Sequence, residues 1–124
     1  MQEAMPTVLV VEDEPAIRRL TSLSLESAGM RTVSAANGQE ALNLLDGVRP
    51  DAIVLDLTMP VMDGRTFYRH LRELGSQIPV MLLTAHAPHA AQQELQAQAA
   101  MAKPFDPFQL AEQVRALTTR ALPG

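Results

Sequence analysis

The sequence predicts an α/β fold: a doubly wound parallel sheet of five strands, each followed by a helix, in (βα)5 order. Three observations predict it. Short apolar runs alternate with stretches of helical period from one end of the chain to the other. The runs Thr7–Val11, Asp51–Asp56 and Pro79–Thr84 carry polar residues only at their ends, which marks strands buried on both faces. Crossovers between parallel strands are right-handed almost without exception, so this alternation lays helices on both faces of one sheet.

Thr7-Val8-Leu9-Val10-Val11 is the first strand and runs into Glu12-Asp13-Glu14-Pro15. Pro15 suits the first turn of a helix, where a missing N–H costs nothing. That helix is expected to reach about Ala28, with Ile17, Leu20 and Leu23 on one buried face and Gly29 as its stop. Arg31 to Ala35 is a short second strand. Asn37-Gly38-Gln39-Glu40 has the spacing of a capping box, and Ala41, Leu44, Leu45 and Val48 then recur at i, i+3, i+4 and i+7. Gly47 and Pro50 end this helix. Asp51 to Asp56 is the third strand. Asp63 caps the third helix, whose buried stripe is Phe67, Leu71 and Leu74 and which Gly75 closes.

Pro79 to Thr84 is the fourth strand. Ala87 to Gln98 suits a helix by propensity. Leu95 is its only large aliphatic residue, which predicts the least firmly packed helix of the chain. Ala99 to Ala102 is a weak fifth strand. Asp106 caps and Pro107 begins the last helix, with Leu110, Val114, Leu117 and Ala121 as its stripe.

Composition narrows the function classes. With 124 residues, 47% of them hydrophobic and 19% charged, residues 1–124 are expected to form one domain with its core at about 7–122. A net charge of −4 argues against non-specific nucleic-acid binding. No apolar run approaches the roughly 20 residues that cross a bilayer, and the first ten residues lack the pattern of a secretory signal. The absence of cysteine excludes disulfide and thiolate chemistry and fits a cytoplasmic setting. Of ten basic residues only Lys103, followed by Pro104, is a lysine. In a chain that writes its surface charge as arginine, a lone lysine points to a use for a compact ammonium.

In such a sheet the C-terminal ends of all strands share one edge, where open α/β folds place their ligands. Glu12 and Asp13 follow strand one, Asp56 ends strand three, Thr84 ends strand four and Lys103 follows strand five. Strands one and three are neighbours across a switch point, so three carboxylates crowd one pocket. Two such charges 4 Å apart repel by about 4 kcal/mol at an effective dielectric of about 20. The cluster calls for a cation, and oxygen ligands without His or Cys favour Mg²⁺. Lys103 and the Thr84 hydroxyl add a positive charge and a donor. The set suits an aspartate nucleophile attacking a phosphoryl group.

Four pieces then carry a resemblance: Val8-Leu9-Val10-Val11-Glu12-Asp13-Glu14, Ile53-Val54-Leu55-Asp56-Leu57-Thr58-Met59-Pro60 with Asp63-Gly64, Leu83-Thr84-Ala85, and Lys103-Pro104-Phe105. In this order and on these strands they make the chain, from roughly Thr7 to Leu122, resemble a response-regulator receiver domain of two-component signalling. The resemblance implies the flavodoxin-like strand order 2-1-3-4-5. It implies Asp56 as phosphoacceptor and as a Mg²⁺ ligand, with Asp13 binding the ion directly, Glu12 mainly through water and Thr58 through its backbone carbonyl. Thr84 becomes the switch hydroxyl, Lys103 pairs with the phosphoryl group, and the Lys103–Pro104 bond is expected to be cis. Thr58 and His86, each two residues beyond a site residue, are expected to modulate the lifetime of the phosphoryl group. The implied partners are a sensor histidine kinase or histidine phosphotransfer protein and a protein output target, with no direct nucleic acid and no membrane. Helices four and five are candidates to pair two copies. The implied chemistry is autocatalytic acceptance and loss of a phosphoryl group, not metabolic turnover.

The chain departs from this pattern around strand five, where Gln96-Ala97-Gln98-Ala99 lacks the usual Gly and acidic pair. Receiver domains carry Tyr or Phe three residues before the lysine, and here that residue is Ala100. The thin fourth helix is therefore expected to be the moving element. A receiver-like module that works without phosphorylation is one rival reading, favoured by Ala100. An aspartate-nucleophile phosphatase is another, but it needs a second Asp where Thr58 stands. His70, His86 and His89 lack spacing suited to one metal site, and Met59, Met62 and Met81 read as packing.

Overall fold

The structure, a computed structural model, describes residues 5–59 and 61–120. Its elements are β1 (Thr7–Val11), α1 (Pro15–Ser27), β2 (Arg31–Ala35), α2 (Gly38–Leu44), β3 (Ala52–Asp56), α3 (Gly64–Glu73), β4 (Val80–Thr84), α4 (Pro88–Leu95), β5 (Ala99–Ala102) and α5 (Pro107–Arg120). The five strands form one parallel sheet in the order β2-β1-β3-β4-β5. Successive residues of each central strand point to opposite faces. Leu9, Val11, Ile53, Leu55 and Leu82 join one core with Phe67, Leu71 and Leu95. Val8, Val10, Val54, Met81 and Leu83 join the other with Leu25, Leu110 and Val114. The apolar runs of β1, β3 and β4 thus feed both faces, and the result is the expected three-layer sandwich.

The helix ends follow the expected chemistry. Asn37 Oδ1 accepts the Glu40 N–H at 2.9 Å, while Glu40 Oε1 accepts the Ala36 N–H at 3.2 Å. The capping box is thus closed one residue further upstream than its ordinary form. Asp63 accepts from Thr66 N–H, and Asp106 from Phe108 N–H, each at 2.8 Å. Gly29 and Gly75 close their helices at φ of 91° and 84°, a region open to glycine at no steric cost.

Three expectations are corrected. The buried face of α1 carries Thr21 and Leu25, whereas Leu20 and Leu23 are about half exposed. A threonine can take the inner position because its hydroxyl donates to the Ile17 carbonyl at 2.7 Å. Leu74 is exposed, because it sits at the C-cap where the chain turns toward Gly75; Tyr68 fills the core beside Phe67 instead. The fourth helix is shorter than residues 87–98, since Ala87 and Gln96 both adopt left-handed backbone conformations that bound it. Ala121, expected on the α5 stripe, lies outside the described residues.

Candidate functional site

β1 and β3 pair with Val11 opposite Leu55. The chain therefore leaves β1 at Glu12 beside the point where β3 ends in Asp56. Both carboxylates are buried, and Asp13 is half-buried. One oxygen from each of Glu12, Asp13 and Asp56 lies within 4.8 Å of the others. On the far side β4 pairs with β5, Thr84 opposite Ala102, and Lys103 N–H donates to the Thr84 carbonyl at 3.0 Å. The Lys103–Pro104 peptide is cis. The ammonium reaches across the edge to Glu12 Oε1 at 2.7 Å and Asp56 Oδ1 at 3.3 Å.

The remaining predicted residues lie at or just beyond the ends of β3 and β4. Thr58 is exposed, and its N–H donates to Asp56 Oδ1 at 3.2 Å. The Thr84 hydroxyl donates to the His86 carbonyl and accepts the His86 N–H, both at 3.1 Å. That hydroxyl is thus satisfied locally, in the turn leading to α4. The His86 side chain is exposed at the rim. The N-terminus of α3 closes the floor: Gly64 N–H donates to the Leu57 carbonyl at 3.1 Å. A Cβ on Gly64 would lie 2.6 Å from Leu57 Cα and collide with the Asp56 carbonyl.

Electrostatics make Glu12 the focus of the pocket. Burial pushes its carboxyl up to about 7, reinforced by the charge of Asp56 and opposed by the Lys103 ammonium and the Glu14 N–H. Burial alone would lower the Lys103 ammonium, but Glu12, followed by Asp56, overrides it and leaves the group above its ordinary value. Although Glu12 Oε1 lies close to Lys103, it is buried and accepts no hydrogen bond of good geometry. Asp13 has no side-chain partner among the described residues. An under-satisfied buried oxygen, a free carboxylate and a purely oxygen donor set fit a hard divalent cation.

The comparisons agree with this geometry. Residues 8–115 match the family described as the response regulator receiver domain. This chain belongs to that family. It is 38% identical over 119 residues to the response regulator MprA of Mycolicibacterium vanbaalenii, covering 94% of this chain and 52% of the relative. The chain spans about half the length of the curated relatives it matches. Among solved structures, the receiver domain of the Francisella response regulator 1452 superposes with a TM-score of 0.88 at 31% identity, covering 94% of this chain and 99% of that one. The Vibrio cholerae chemotaxis protein CheY4 superposes with a TM-score of 0.84 at 33% identity, covering 92% and 99%. Receiver domains bind Mg²⁺ at an acidic pocket, and Glu12, Asp13 and Asp56 form such a pocket here.

The structure also shows working residues that periodicity and motif did not reveal. Arg18 reaches back from α1 to the carbonyls of Glu12 and Asp13. Tyr68 donates its hydroxyl to the Gln96 carbonyl at 3.3 Å, bringing an aromatic ring from α3 to the α4–β5 turn. Gln98 Oε1 accepts the Val80 N–H at 2.8 Å. Each tie joins residues distant in sequence or uses a main-chain acceptor, so no spacing signals it.

Proposed function

We propose that this receiver domain accepts a phosphoryl group on Asp56 from a histidine kinase or a histidine phosphotransfer protein. The observation that carries the proposal is the setting of the Asp56 carboxylate: buried, beside Glu12 and Asp13, with its Oδ1 held by Lys103 and by the Thr58 N–H. These contacts fall on one oxygen and leave Oδ2 to attack. The Asp56 O–P bond forms as the donor's N–P bond breaks, and the imidazole keeps the electron pair. Asp13, Asp56 and the Thr58 carbonyl would hold a Mg²⁺, with Glu12 acting through water, and the ion would supply charge neutralisation for the phosphoryl oxygens. Lys103 exchanges its contact with Asp56 for one with the transferred group, while Glu12 keeps its ammonium at the edge. The Thr84 hydroxyl, bonded among the described residues to the backbone of His86 alone, is free to trade that pair for a phosphoryl oxygen and draw the β4–α4 turn with it.

Thr58 and His86, both exposed and each bonded through its backbone to a site residue, are assigned to tuning the lifetime of the acyl phosphate. The acyl phosphate then hydrolyses on the same domain without metabolic turnover. A cytoplasmic location and a protein output target belong to the same reading, since kinases of this kind draw on ATP.

The test is incubation with Mg²⁺ and acetyl phosphate, read by intact mass and peptide mapping. One phosphoryl addition at Asp56 is expected, absent with a chelator and absent in Asp56→Asn. Addition at another residue, or none, would overturn the proposal, and none would leave the phosphorylation-independent module. Thr58→Ala and His86→Ala are each expected to alter the rate of phosphoryl loss; unchanged rates in both would remove them from the site.

A further inference from the structure

We propose that Arg18 is a positioning residue for the acidic pocket, setting the Mg²⁺ affinity by fixing the loop that carries Asp13. The proposal rests on the reading of that pocket as the cation site.

Two of the three carboxylates sit on the β1–α1 connection, and little else holds it. The N-cap residue of α1 is Glu14, whose side chain makes no capping bond, and Pro15 follows without an N–H to give. The upstream end is tied to the sheet by Glu12 N–H donating to the Ala35 carbonyl at 3.1 Å. Glu14 N–H donates to the Glu12 side chain at 3.2 Å. Between these points the peptides on either side of Asp13 have, among the described residues, one further anchor. Arg18 Nη1 donates to the Glu12 carbonyl at 2.9 Å and to the Asp13 carbonyl at 3.2 Å.

Gathering two successive carbonyls onto one nitrogen fixes the planes of both peptides that flank the Asp13 Cα. Those planes set the direction of its side chain, which has no partner of its own among the described residues. A guanidinium suits the task, because it stays charged and its fork is preorganised. Neighbouring Arg19 carries the same charge one residue on, but it is exposed and makes no hydrogen bond or ion pair among the described residues. Groups that orient metal ligands from behind, when lost, weaken metal affinity by about 10- to 100-fold.

The experiment compares Mg²⁺ dissociation constants, from calorimetric or NMR titration, for the parent, Arg18→Ala, Arg18→Lys and Arg19→Ala. Arg18→Ala is expected to bind Mg²⁺ about 10-fold more weakly, with Arg18→Lys intermediate and Arg19→Ala equal to the parent. In acetyl phosphate labelling, the Mg²⁺ concentration for half-maximal rate should rise in parallel, while the rate at saturating Mg²⁺ stays near that of the parent. An unchanged dissociation constant in Arg18→Ala overturns the proposal, as does equal weakening in Arg19→Ala, which would make the effect one of helix α1 and not of the carbonyl contacts, since losing a nearby positive charge by itself favours Mg²⁺. If Arg18→Ala does not fold, Arg18→Lys decides: an affinity equal to the parent's overturns the proposal. A parent that binds no Mg²⁺ removes the reading of the pocket and this inference together.

Discussion

β3 and β5 belong to the same parallel sheet, yet they are made of different materials. All five residues of β3 are buried and four are aliphatic. β5 is three alanines and a methionine, none of them fully buried. The helices repeat the contrast. α3 has the Asp63 cap and brings Gly64 against the β3 backbone. α4 has no side-chain cap, is bounded by left-handed Ala87 and Gln96, and buries only Ala91 and Leu95. Polar ties do there what apolar packing does at β3: Gln98 to Val80, Tyr68 to Gln96, and Arg65 to Glu94. The carboxylates of the site stand on the packed side. Thr84 and Lys103 join that side to the one held by exchangeable polar bonds. On the proposed function, a new charge at Asp56 would meet a packed wall at β1 and β3 and a wall held by polar bonds at α4, where local opening is expected to cost less.

The largest effect should come from disturbing the packed side. Gly64→Ala places a methyl against the backbone of Asp56 and Leu57, which cannot retreat without moving β3. A loss of about 3 kcal/mol or more is expected in urea denaturation, together with loss of acetyl phosphate labelling. Gly38→Ala meets only the flexible Met62 side chain and should cost far less. Equal costs for the two would erase the contrast between backbone and side-chain walls.

The next effect is electrostatic. In the metal-free folded protein the Glu12 carboxyl titrates at about 7, above its ordinary value of 4.5. Between those values the folded protein keeps a proton that the unfolded chain has released. Stability should therefore fall as pH rises through that window and level off above it, by a few kcal/mol in all. Lys103, raised above 10.5, stays protonated throughout the window. Asp63, lowered below 3.8 by the Thr66 N–H, acts below the window and in the opposite sense. Denaturation midpoints from pH 4 to 8 check this, and Glu12→Gln should flatten the slope.

How much could be read in advance follows the same division. β3 announced itself as an apolar run ending in an acid, and the pocket followed because parallel strands share an edge. On α1, hydropathy assigned Leu20 and Leu23 to the core. It could not see that the Thr21 hydroxyl satisfies itself on the Ile17 carbonyl and so can be buried. The Arg18 and Tyr68 contacts end on main-chain carbonyls, whose positions exist only once the fold does. At α4 the composition announced a face with one large aliphatic residue, and the helix buries that Leu95 and Ala91. The helix bounds did not follow from it, because Ala87 and Gln96 are ordinary helix formers held in left-handed geometry by their surroundings.

That geometry supplies a smaller effect of opposite sign. Gln96 sits at φ 56°, its side chain is exposed, and its only partner outside the helix uses the main-chain carbonyl. Gln96→Gly relieves the left-handed cost, leaves the Tyr68 bond in place and puts glycine at a helix end that favours it. A gain of about 1 kcal/mol is expected. Hydrogen exchange should slow across α4 more than across β3.

The smallest effect discriminates best. Glu94 lies 3.2 Å from Arg65 and 3.7 Å from Arg69, all exposed. Removing such a pair in Glu94→Ala should change global stability by no more than about 0.5 kcal/mol. Yet α4 has so little apolar burial that the same energy counts in full toward its own opening. Amides of residues 91–95 should therefore exchange faster while those of β3 do not change, and added salt should bring the parent toward the variant. If β3 and α4 exchange accelerate equally, α4 opens only with the whole domain, and the contrast between the two sides has no dynamic content.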